Sequence, residues 1–203
     1  MSEKPQKTKN QTLMYFAGLC GILGSILPLV MVVSATFLSP WFSWNVNALS
    51  ELGVGEQATL FNSAVLVGGL LNLLFAIGLR QNINHERLSL IGASLIMAGS
   101  VSLALVGIFT INYLIVHVIV ALGYFMLVPI GILLIGKGTK QKAIKTLSII
   151  CGIIALFSIL VFPILIFSLP FKIGFAVPEL MESLAISYWT LPMSIRLIKP
   201  FWT

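Results

Sequence analysis

Of 203 residues, 58% are hydrophobic and only 9% charged, and the mean hydropathy is +1.05. That excludes an ordinary soluble domain, which is about 45–50% apolar and about 25% charged, and marks an integral membrane protein. The formal net charge of +6 does not point to nucleic acid, because the positive residues fall only between apolar runs and form no basic face interleaved with aromatics.

A helix crossing a hydrocarbon core of about 30 Å at about 1.5 Å per residue needs about 20 mostly apolar residues. Six segments qualify, 13–37, 58–79, 90–111, 113–136, 147–168 and 176–197. The expected fold is an all-α, polytopic bundle of six transmembrane helices over residues 13–198, between a tail at 1–12 and a short end at 199–203. The first segment is too long for a signal-peptide core, and Phe37, Leu38, Ser39 and Pro40 offer no small-residue cleavage site, so it reads as an anchor. Small residues recur in GLCGILGS and GASLIMAGS, which predicts close packing by the first, third and fifth helices. Cys20 and Cys151 sit inside apolar runs and read as small packing residues rather than a disulfide.

Every Lys and Arg except Lys172 falls in the N-terminal tail, in alternate breaks between segments, or at the C-terminal end. The positive-inside rule then puts both termini in the cytoplasm of a multi-pass cell-membrane protein, with Arg196, Lys199 and Trp202 as an interfacial anchor.

The break at residues 41–57, WFSWNVNALSELGVGEQ, is therefore extracytoplasmic, and it is unlike the others. Trp41 and Trp44 suit a membrane interface. Asn47 and Gly53 bracket Ala48 to Leu52 as a cap and a terminal glycine would bracket a helical turn, which leaves Ser50 and Glu51 lying against the membrane.

The helices that return from that side carry polar residues near their start: Asn62, His117, and the pair Glu179 and Glu182. Asn62 lies four residues past Ala58 and His117 four past Tyr113, the same depth of about 6 Å. Pro178 suits a first helical turn, and one carboxylate is favourable beside the N-terminal dipole. Two carboxylates three residues apart share a face and should turn inward, since an ionisable group avoids lipid. Asn62, His117, Glu179 and Glu182 are thus expected to converge in one pocket, closed above by Ser50 and Glu51.

The run SPWFSWNVNALSELGVGEQATLFNSAVLVGGLLNLLFAIGL, the His of the fourth segment and VPELMESLAISYW in the last resemble the prokaryotic membrane family catalogued as domain of unknown function 998. The acidic S-E-x-G turn before the second segment is more distantly similar to the Frag, DRAM and Sfk group, some of whose members are linked to remodelling of lipids and lipid anchors. The resemblance implies a six-span bundle with lipid as substrate or ligand, and it is carried on Ser50, Glu51, Asn62, His117 and Glu179.

Three chemistries fit these residues. His117 with Glu179 or Glu182 makes a general acid and base for a lipid headgroup or ester, with Ser50 and Glu51 beside them and Ser50 as the candidate nucleophile. Asn47, Asn62 and Trp44 are then candidate ligand contacts. A proton or cation pathway is the second, opposed by the lack of polar residues in the inner half apart from Asn72. The third is a non-catalytic bundle that binds lipid or a membrane-protein partner. No metal-ligand spacing, nucleotide loop, haem-ligand pair or flavin fingerprint calls for a metal or cofactor.

Overall fold

The computed structural model describes residues 4–83, 86–167 and 173–198; Lys172, Lys199, Trp202 and the last residue of the fifth expected segment lie outside the described residues. Among the described residues seven α-helices follow in order: α1 (Lys4–Phe37), α2 (Ala58–Asn82), α3 (Arg87–Val106), α4 (Leu114–Gly138), α5 (Lys142–Leu160), α6 (Phe162–Phe167) and α7 (Ala176–Ile198). A 3₁₀ turn at Leu49–Val54, here the roof turn, lies between α1 and α2. Among the described residues, five stretches are long and apolar enough to cross a membrane: Gln11–Phe37, Ala58–Asn82, Arg87–Val106, Ile111–Gly138 and Lys142–Ile164. They make this a multi-pass membrane protein. The helix α7 is as long, at 23 residues, but carries Glu179, Glu182 and Arg196 and is not among the five.

Neighbouring helices pack in chain order from α1 through α5, and α7 then packs against both α5 and α1. The six long helices therefore close a ring around a central axis. Arg80, Arg87, Lys137, Lys142, Lys145 and Arg196 all occupy helix ends on one side of that ring, the basic end, while the roof turn covers the other.

Two segments end earlier than their hydropathy suggests. The helix α3 stops at Val106, where Ile108 and Phe109 both donate their backbone N–H to Leu105 O. There Gly107 passes so close to α2 that a Cβ would stand 2.5 Å from Asn62 O. The fifth segment breaks at Val161, because Pro163 has no N–H to continue the ladder and the chain restarts as α6.

Close helix approach is not confined to the first, third and fifth helices. A Cβ on Gly92 of α3 would lie 2.5 Å from Gly131 O, and one on Gly131 of α4 would lie 2.5 Å from Gly92 O. On α2, a Cβ at Gly69 would lie 2.4 Å from Ala104 N. The helices α2 and α4 thus supply half of each contact, since two backbones approach only when both faces are small.

Two apolar clusters fill the ring. One lies toward the basic end around Phe75, Ile132 and Trp189, with Cys151 packed inside it and Trp189 Nε1 donating to Ser148 Oγ at 2.8 Å. The other joins the roof turn to the helices through Leu49, Leu52, Phe61, Val65 and Ala176. Cys20 and Cys151 are both buried free thiols.

Candidate functional site

The roof is built from its own polar residues first. Asn47 Oδ1 accepts from Ser43 N at 2.8 Å, and its Nδ2 donates to Glu51 Oε2 at 2.7 Å. Glu51 Oε1 accepts from Ala48 N at 2.8 Å, the carboxylate half of a capping box. Asn47 is therefore not the cap expected of it: the helical turn begins at Leu49 after Ala48, and Asn47 closes the preceding turn instead. Both oxygens of Glu51 are committed within the roof.

The roof then docks on the bundle at three places. Asn62 Nδ2 of α2 donates to Gly53 O at 2.9 Å. Gly174 N donates to Trp44 O at 2.8 Å, and Ala176 N donates to Asn47 O at 2.9 Å, which stitches the roof to the chain entering α7. Gly174 is needed there because a Cβ would stand 2.6 Å from Asn47 O. The third tie is buried: Leu49 N donates to Glu179 Oε2 at 2.6 Å. Leu52 beneath it is fully buried. Phe42 and Trp44 stack edge to face at 5.5 Å and pack partly buried against the same apolar cluster.

Below the roof lies a partly open cavity of about 100 Å³ at the centre of the ring. Ser50, His117 and Glu179 line its roof end. His117 Nδ1 stands 2.7 Å from Phe109 O. A carbonyl oxygen only accepts, so Nδ1 carries the proton of that bond, and in the neutral ring Nε2 keeps its lone pair. The carbonyl fixes the tautomer and the ring orientation together. Glu179 spends one oxygen on Leu49 N, and its other oxygen is left for the cavity it lines.

The other candidates are elsewhere. Asn62, Glu51, Asn47 and Trp44 belong to the roof and its docking and do not line the cavity. Glu182 is fully buried, does not line the cavity, and has no hydrogen-bond partner for either carboxylate oxygen among the described residues. Three residues along a helix of 3.6 per turn fall about 60° short of a full turn. That rotation moves Glu182 from the cavity wall occupied by Glu179 to a place beside Tyr124 on α4.

The cavity also holds polar residues that the sequence reading did not single out. On α7, Ser183, Ser187 and Thr190 continue the line begun by Glu179, a stripe at helical spacing that was legible in principle. Ser25 and Tyr124 face it from α1 and α4, beside the Asn72 of α2 that the sequence did mark. Of these only Thr190 joins Asn72 past the middle of the ring toward the basic end. Ser25, Ser183 and Thr190 return their hydroxyl hydrogens to carbonyls four residues back in their own helices, so toward the cavity they present oxygen. Apolar walls come from Pro28, Leu29, Val65, Leu103 and Phe125. Among the described residues no group of three His, Cys, Asp or Glu side chains is close enough to hold a metal ion.

The family model described as Protein of unknown function (DUF998) matches residues 22–196. No curated protein and no solved structure matches the chain.

Proposed function

We propose, starting from the fact that this chain belongs to the DUF998 family, that it is a six-span cell-membrane protein binding a membrane lipid in its central cavity, headgroup beneath the roof. The sixth span is α7. Its 23 residues reach about 35 Å, enough for a hydrocarbon core of about 30 Å. Its two carboxylates, Glu179 and Glu182, are 8% and 0% exposed, so neither meets lipid on the outside of the ring. The clustering of described basic residues at one end supports cytoplasmic termini and an outward roof.

This orientation has a direct check. Glu56→Cys in a background lacking Cys20 and Cys151 is expected to react with a membrane-impermeant maleimide added to intact cells, because Glu56 is exposed on the roof. Labelling only after the cytoplasmic face is opened would reverse the topology.

One observation carries the lipid reading: the cavity gathers Ser50, His117 and Glu179 at its roof end, and below them the hydroxyl stripe of α7 faces apolar walls from Pro28, Leu29, Val65, Leu103 and Phe125. The polar end is rich in acceptors, namely His117 Nε2, the free oxygen of Glu179 and the Ser50 hydroxyl. Acceptors suit a headgroup that brings its own donors, an amine or a set of hydroxyls, rather than a bare phosphate. The His117 arrangement, one nitrogen held by a carbonyl and the other aimed at the cavity, is also that of a general base. Turnover of the bound lipid is therefore read from the same preparation.

The test is lipid retained by purified protein, measured by native mass spectrometry and by extraction. Ala121→Trp fills the cavity and is expected to abolish retention, while His117→Ala weakens it about tenfold through one lost hydrogen bond. Full retention by both variants, with the fold intact by circular dichroism and elution, would refute the proposal.

A further inference from the structure

A second cavity, also of about 100 Å³, lies at the basic end of the ring, the opposite end from the roof. Its polar lining is Asn82, Ser89, Thr139, Gln141 and Arg196. Ser89 sits in the first turn of α3, is 1% exposed, and its Oγ has no hydrogen-bond partner among the described residues. A buried hydroxyl without a partner is costly, and here it lines a cavity. The close passage of α4 holds it there: a Cβ on Gly138 would lie 2.4 Å from Ser89 Oγ.

The neighbours of Ser89 are arranged to donate. Arg196 Nη2 donates to Gln141 Oε1, which steadies the guanidinium and leaves the Gln141 amide hydrogens and the remaining guanidinium N–H groups unspent on that bond. Thr139 Oγ1 accepts from Gln141 N at 3.2 Å, so its own hydrogen is still to give. The helices α3 and α5, of 20 and 19 residues, both begin at this cavity, and neither N-cap, Glu86 or Gln141, makes a side-chain capping bond. Their positive ends and unfilled N–H groups add to the donors. Glu86 is exposed and does not line the cavity, whereas Lys140, Lys142, Lys145, Arg80 and Arg87 surround the same end. The last turn of α2 is closed internally, with Ile83 N donating to Leu79 O at 2.9 Å.

We infer that this cavity is an anion site that takes a phosphate group through the Ser89 hydroxyl, the Arg196 guanidinium and the start of α5. Phosphate offers the oxygens that the roof cavity lacks use for, and the planar fork of Arg suits it. The group can arrive on a phospholipid of the leaflet at this end or as a free phosphate from water.

Two probes separate those sources. Protein in phosphatidylcholine nanodiscs doped with phosphatidic acid is analysed by native mass spectrometry, and detergent-solubilised protein is titrated with inorganic phosphate while its melting temperature is followed. Ser89→Ala removes only a hydroxyl with no partner among the described residues, so the fold is expected to survive; Arg196→Gln is the second variant, and Lys140→Gln, exposed and outside the lining, is the control. Retention of phosphatidic acid that falls about tenfold in Ser89→Ala and Arg196→Gln but not in Lys140→Gln identifies a lipid phosphate. A phosphate-dependent rise in melting temperature lost in the same two variants, without lipid retention, identifies a soluble one. Absence of both effects overturns the site. So does equal weakening by Lys140→Gln, which is diffuse attraction to a basic surface.

Discussion

Glu182→Met is expected to raise the stability of the bundle, while Glu179→Met, three residues away on the same helix, lowers it. Glu182 is fully buried and neither oxygen has a hydrogen-bond partner among the described residues, so it carries a desolvation cost of about 1–3 kcal/mol that an apolar side chain of similar length removes. Glu179 is buried as well, but its Oε2 accepts from Leu49 N at 2.6 Å. Removing that oxygen leaves a buried backbone N–H unpaired and costs about 1–3 kcal/mol. The two effects should show as opposite shifts of the unfolding midpoint in mixed micelles. Hydrogen exchange should rise at the roof turn in Glu179→Met alone, because that carboxylate ties the roof to α7. A Glu182→Met protein as destabilised as Glu179→Met would mean that the Glu182 carboxyl makes a stabilising contact.

Where the backbones of α3 and α4 approach at Gly92 and Gly131, Gly92→Ala should lose about 1–3 kcal/mol of stability. The new methyl would stand 2.5 Å from Gly131 O and 3.1 Å from Ile135 N, and backbone atoms have no rotamer to retreat into. Alanine's better helix propensity returns only about 1 kcal/mol, so the clash decides the sign. Gly123→Ala on α4 is the matched control. Its methyl would meet Ser102 Oγ at 2.7 Å and Ser102 Cβ at 3.2 Å, but no backbone atom; the hydroxyl can rotate and the Cβ contact needs only a slight shift, so the propensity gain should leave the variant unchanged or slightly more stable. Equal losses at both positions would show that the cost is a general intolerance of side chains in the membrane interface rather than the backbone approach at Gly92.

Properties that add up along neighbouring residues were determined by the sequence alone. Twenty or so apolar residues suffice to span a bilayer wherever they pack, which is why the membrane class, the starts of α2 at Ala58 and α7 at Ala176, and the gathering of Lys and Arg at one end were readable. The polar character of the roof end was readable for the same reason. Which of those polar groups face one another was decided only by the tertiary structure, because each residue turns about 100° around its helix and its partner lies on another. Spacing could not separate Glu179, on the cavity wall, from Glu182, outside it. Nor could it foresee that Glu51 and Asn47 satisfy each other and that Asn62 is spent on Gly53 O. Ser89 is the extreme case: nothing in RLSLIGAS marks it, and it matters only because Gly138 of α4, 49 residues on, brings another backbone against a hydroxyl that has no partner among the described residues.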